Sequence, residues 1–179
     1  GLFGRAPFLF LANIAPTLQS RVREQCQSAT LVGLDTIDFY INTARDALEA
    51  LLPRVDLLVV NDGEARLLAG DANVVRAARR ILGRGTKSVL VKRGEYGAIL
   101  FSSSSVFGVP AYPLEEVFRP TGAGDTFAAG LFGSGDSPPL VASTNNKKAA
   151  TNETTRAMLK FVIPTPPRSA ASTPARMRG

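Results

Sequence analysis

The residues best suited to chemistry lie together in Pro120-Thr121-Gly122-Ala123-Gly124-Asp125-Thr126-Phe127-Ala128-Ala129-Gly130. Small residues at 122–124 let the backbone turn tightly and approach a ligand closely. From Asp125 onward the pattern is helical, with Phe127 and Leu131 apolar and Ala128 and Ala129 small. A glycine-rich turn that opens a helix aims backbone N–H groups and the positive helix end at an anion. A carboxylate at the same turn is then poised over that anion. The arrangement suits phosphoryl transfer, in which a protein mainly positions groups and neutralises charge. A plain helix-entry turn, with Asp125 as a first-turn carboxylate favoured by the macrodipole, has the same spacing. Spacing alone leaves both readings open.

Composition removes several other chemistries. The chain has 179 residues and no histidine, so Ser-His and Cys-His nucleophilic systems and imidazole zinc sites are excluded. The single cysteine, Cys26, can form no intrachain disulfide and reads as an inert, part-buried thiol. Acid–base work falls to Asp, Glu, Lys or Tyr. The net charge of +6 sits wholly in residues 141–179, where seven basic residues face Glu153 alone. Residues 1–140 are balanced, and the tail's only aromatic is Phe161, which argues against a nucleic-acid reader. No apolar run approaches the ~18–20 residues that span a bilayer, so no membrane partner is expected and the cytoplasm is the expected location.

The elements that must position this turn alternate in type. Strands are expected at 7–12, 29–34, 56–60 and 87–91, each a continuous apolar run. Helices are expected from Pro16 to about Gln27, from Ala44 to Leu52, at 62–69 and at 73–83. Thr43 is expected to cap the second helix, with Asp46 in the acidic position of a capping box. Residues 98–101 and 106–109 read as a hairpin across Ser102–Ser105. Continuous apolar strands between amphipathic helices predict an α/β fold with a mostly parallel sheet covered on both faces. Ligands of such sheets bind beyond the carboxyl ends of the strands. That rule selects Asp35, Asn61 and Lys92-Arg93-Gly94, which should share one rim. Residues from about 134 onward, rich in Pro, Ser and Thr, are expected to be largely disordered.

The string Thr121-Gly122-Ala123-Gly124-Asp125-Thr126-Phe127 resembles the second signature of PfkB-family (ribokinase-like) carbohydrate kinases. The likeness runs on through Phe10-Leu11-Ala12-Asn13-Ile14, Leu34-Asp35-Thr36, Asn61-Asp62-Gly63-Glu64-Ala65, Val91-Lys92-Arg93-Gly94-Glu95-Tyr96-Gly97-Ala98 and Pro110-Ala111-Tyr112-Pro113, in the family's order. The resemblance implies an incomplete ribokinase-like three-layer sandwich over residues 1–133, followed by a basic tail over 134–179. It implies ATP-dependent phosphorylation of a sugar or related hydroxyl, with Asp125 as general base. The amides of Gly122, Ala123 and Gly124 would form the anion hole. Asn61 and Glu64 match the Asn-x-x-Glu motif that helps hold Mg²⁺ and the phosphates, largely through water. Lys92, Arg93, Gly94 and Gly97 match the turn that lies along the nucleotide, together with Gly124. Homodimerisation is an option of the full-length parent.

Local readings compete at several of these positions. Asn61-Asp62-Gly63-Glu64 is also a helix cap, Lys92 and Arg93 also solvated charges, and Asp35 also a turn former. Arg119 stands where the family pattern has Asp, which puts its monovalent-cation site in doubt. The family's N-terminal substrate motif and lid have no counterpart, and the likeness fades after Gly133. The chain is therefore expected to be a fragment, and an inactive remnant that at most binds nucleotide is the alternative reading.

Overall fold

Four apolar runs joined by helices fold as the alternation predicts. The computed structural model describes residues 7–111 and a short strand at 140–141. In chain order it contains β1 (Phe8–Leu11), α1 (Pro16–Gln25), β2 (Leu31–Asp35), α2 (Asp38–Thr43), α3 (Arg45–Leu51), β3 (Leu57–Asn61), α4 (Asp62–Ala69), α5 (Val74–Leu82), β4 (Ser88–Lys92), β5 (Ala98–Ser102), β6 (Val106–Val109) and β7 (Leu140–Val141). They form one sheet in the order β6-β5-β4-β3-β2-β1-β7. The β1–β2, β2–β3, β3–β4 and β1–β7 pairs are parallel. The β4–β5 and β5–β6 pairs are antiparallel, as the hairpin reading requires.

Strands β1 to β4 follow one another in a single direction across the sheet. Right-handed crossovers between successive neighbours then place every intervening helix on the same face. The core divides accordingly. Leu9, Leu11, Val32, Leu34, Leu58, Val60, Val89 and Val91 pack with helix residues such as Leu48, Leu68, Ala78 and Ile81. The alternate positions Phe10, Leu31, Leu57, Val59, Leu90 and Leu100 form a second cluster to which no described helix contributes. Both clusters are buried, which is why the strands read as unbroken apolar runs. Cys26 lies in the helix-side core at the end of α1.

Two expectations change. Thr43 does not cap a helix: it is the last residue of α2, and its hydroxyl donates back to the Phe39 carbonyl at 2.7 Å. A threonine in a final helical turn satisfies its hydroxyl on the i−4 carbonyl, so its type alone did not mark a start. Strand β2 begins at Leu31, because Thr30 turns to donate from both its N–H and its hydroxyl to the Pro7 carbonyl, each at 2.8 Å. Leu140 and Val141 pair with Leu9 and Phe10 of β1, and the rest of the segment from 134 onward, expected to be largely disordered, lies outside the described residues. No helix among the described residues is long and apolar enough to cross a membrane.

Candidate active site

Strands β2, β3 and β4 each end in a polar residue, and these residues meet. Asn61 closes β3 and pairs in register with Lys92 at the end of β4. Asp35 closes β2 opposite Val59. Side-chain alternation puts Asp35 in phase with Leu31, and Lys92 in phase with Leu90, on the face opposite the described helices. The Lys92 ammonium reaches across β3 to within 3.9 Å of Asp35 Oδ1. Asp35 is buried, and its Oδ1 also accepts from the Thr36 N–H at 2.9 Å.

Helix α4 starts where β3 stops. Asn61 Oδ1 accepts from the Glu64 N–H at 2.7 Å, and Glu64 Oε2 accepts from the Asn61 N–H at 2.7 Å. This reciprocal capping box satisfies donors that a helix start leaves open. It involves one oxygen of each side chain. Burial pushes the Glu64 carboxyl above its ordinary value; the Asn61 hydrogen bond and the Lys92 charge oppose that, while Asp35 and Asp38 reinforce it. The far end of α4 is held as firmly. Guanidinium groups of Arg45, Arg80 and Arg84 donate to the carbonyls of Leu67, Leu68, Ala69 and Gly70.

The turn after β4 is closed by its own backbone. The Arg93 N–H donates to the Gly97 carbonyl at 2.8 Å, and the Gly97 N–H to the Gly94 carbonyl at 3.1 Å. Gly94 and Gly97 have φ of 57° and 91°, which side-chain-bearing residues rarely adopt. A Cβ at Gly97 would also collide with the Val109 carbonyl oxygen at the end of β6. Arg93 stacks over the exposed Tyr96 ring, 5.7 Å from its centroid.

The structure therefore brings Asn61, Glu64, Lys92 and Asp35 to one rim and sets Arg93, Gly94 and Gly97 in the turn that continues it. Gly122, Ala123, Gly124 and Asp125, with Arg119, lie outside the described residues. Among the described residues no group of three or more Asp, Glu, Cys or His could hold a metal ion by itself.

Sequence reading missed Gln19. It is buried in α1, and its Nε2 donates to the carbonyls of Ala12 and Asp35 at 2.9 Å each, with Leu11 at 3.3 Å. One amide thus ties the carboxyl ends of β1 and β2 together. A glutamine in a polar, amphipathic stretch carries no signal that it will turn inward.

Residues 6–134 match the pfkB family carbohydrate kinase, and the chain belongs to that family. Among curated relatives, it is 39% identical over 89 residues to a cytidine kinase of Thermococcus kodakarensis, covering 49% of this chain and 32% of that one. It is 31% identical over 137 residues to a 2-dehydro-3-deoxygalactonokinase of Haloferax volcanii, covering 68% of this chain and 42% of the relative. Among solved structures, Arabidopsis thaliana ribokinase complexed with ribose and ATP superposes with a TM-score of 0.60 at 27% identity, covering 70% of this chain and 41% of that one. The fold is thus ribokinase-like, and the chain spans less than half the length of each of these relatives.

Proposed function

We propose that this chain carries the nucleotide side of a kinase that transfers the γ-phosphoryl group of MgATP to a hydroxyl of a sugar or nucleoside-like acceptor. The observation that carries the reading is the convergence of Asn61, Glu64, Lys92 and the Arg93–Gly97 turn at the carboxyl rim of a parallel sheet. Open α/β sheets bind ligands at that rim. Family membership and the ATP-bound ribokinase relative support the choice of ligand.

In this reading Asp125 accepts the proton of the acceptor hydroxyl as its oxygen bonds to the γ-phosphorus. The bond from that phosphorus to the bridging oxygen breaks, and ADP leaves. The amides of Gly122, Ala123 and Gly124 receive the charge on the transferring group. Lys92, Arg93, Gly94 and Gly97 line the nucleotide. Asn61 and Glu64 would hold Mg²⁺, which would neutralise phosphate charge. Their donors suit such an ion: both are oxygen ligands, and Mg²⁺ keeps several waters while it neutralises phosphate charge. A cation beside the buried Glu64 carboxylate would also offset the desolvation that raises its pKa. A second reading, nucleotide binding without turnover by this chain alone, is favoured by its span of 32–42% of the curated relatives.

A thermal melt with and without MgATP tests the binding. At ~100 times its dissociation constant a ligand adds about 2.7 kcal/mol. A transition that rises with MgATP in the parent chain, and stays fixed in Gly124→Val, supports the reading. No rise in the parent chain overturns it. Turnover of a sugar and nucleoside panel, abolished in Asp125→Asn and retained in Ser105→Ala, separates transfer from binding alone.

A further inference from the structure

Asp35 has no assigned role, yet it stands at the centre of the rim. Its carbonyl is fixed by the buried Gln19 amide at 2.9 Å, and its Oδ1 accepts from the Thr36 N–H at 2.9 Å. The residue is therefore held through its main chain and through one carboxylate oxygen. Lys92 is held just as firmly through its backbone, between Asn61 of β3 and Ala98 of β5.

The side chains themselves are not locked together. Their 3.9 Å separation exceeds the ~2.7–2.9 Å of a charge-assisted hydrogen bond. No described residue accepts a hydrogen bond from Lys92 Nζ, although that side chain is only 20% exposed. An ammonium has three N–H donors. Here it is drawn from water, steered by a carboxylate's field, and hydrogen-bonded to no acceptor among the described residues. A structural ion pair just before β3 and β4 looks different: Lys87 meets Asp56 at 2.6 Å, with the lysine side chain 77% exposed.

We propose that Asp35 is a positioning residue: it holds the Lys92 ammonium over the rim, with its hydrogens available to an anionic group that docks there. Under the kinase reading, on which the identity of the ligand rests, that group is the polyphosphate of ATP. Asp35 acts through Lys92 and touches no reacting atom.

The test uses the full chain with Asp35→Asn, Lys92→Met and the double variant, measuring the Kd for MgATP by calorimetry. Lysines are also carbon-13-methylated reductively, and the Lys92 resonance is assigned by its loss in Lys92→Met. Asp35→Asn keeps the oxygen that accepts from Thr36, so the fold is retained. We expect it to weaken MgATP about tenfold, and the double variant to be no weaker than Lys92→Met, because coupled sites are not additive. The Lys92 resonance of the ligand-free chain should shift in Asp35→Asn, and Asp35→Glu should stay within about threefold of the parent Kd. Equal weakening by Asp35→Asn with and without Lys92 overturns the proposal. So does an unmoved Lys92 resonance, or an Asp35→Glu variant as weak as Asp35→Asn. A parent chain that shows the resonance shift but no MgATP binding sinks the kinase reading and leaves Asp35 as the residue that positions Lys92.

Discussion

The two rims of the sheet handle charge in opposite ways. Where the strands begin, polar groups are matched to one another: Asp56 Oδ2 accepts from the Val32 N–H at 2.8 Å, and Oδ1 meets Lys87 at 2.6 Å. Thr30 closes on Pro7 in the same style. Where the strands end, matching is looser. Lys92 and Asp35 stand 3.9 Å apart, Glu64 is buried with a raised pKa, and Gln19 Oε1 and Thr36 Oγ1 are buried without partners among the described residues. An unpaired buried polar group costs about 1–3 kcal/mol, so the second rim is the less stable solution. A sheet that tolerates this at one end only has been shaped there by something besides stability.

Substitutions can break that contrast, and the largest effect belongs to Gly97. Gly97→Val forces a β-branched residue into positive φ and against the Val109 carbonyl, so a denaturant melt should lose about 3 kcal/mol or more. At the opposite rim, Asp56→Ala strips the partner from the Val32 N–H and should cost about 2 kcal/mol, with MgATP affinity unchanged. Any change in that affinity would blur the division between the rims.

Glu64→Gln sharpens it. The amide oxygen can still accept from the Asn61 N–H, while the buried charge disappears. The folded pKa of Glu64 is raised, so its contribution to stability is complete below the unfolded value of about 4.3–4.5 and is lost as pH rises through the folded value. The amide that replaces the carboxyl does not titrate. Melts against pH should show the variant matching or exceeding the parent at neutral pH, with the advantage shrinking on acidification, while Mg²⁺-dependent nucleotide binding falls. The smallest effect is at Lys87, whose side chain is 77% exposed: Lys87→Ala should shift stability by less than ~0.5 kcal/mol.

Much of this architecture was legible in the residues. Continuous apolar runs announced strands buried on both faces, and the bounds of α4 fell at 62–69 as expected. The polar residues that end β2, β3 and β4 mark the rim in the sequence itself, because strand direction alone fixes which end faces a ligand. What escaped depended on contacts between distant segments. Gln19 is read as a surface residue until the ends of β1 and β2 present their carbonyls to it. Thr43 reads equally well as the start or the end of a helix, and α2 was lost with it. At 61–64 the helix-cap reading holds, since Asn61 and Glu64 form the capping box that starts α4.

Helix α4 is fastened at both ends, by the capping box at the rim and by Arg45, Arg80 and Arg84 at its carboxyl end. Helices usually open by fraying from their termini. This one has no loose terminus from which to begin, and Arg45 and Arg80 belong to α3 and α5. Its amide protons should therefore exchange with solvent as one group and at the pace of α3 and α5, so that α3, α4 and α5 open together or not at all.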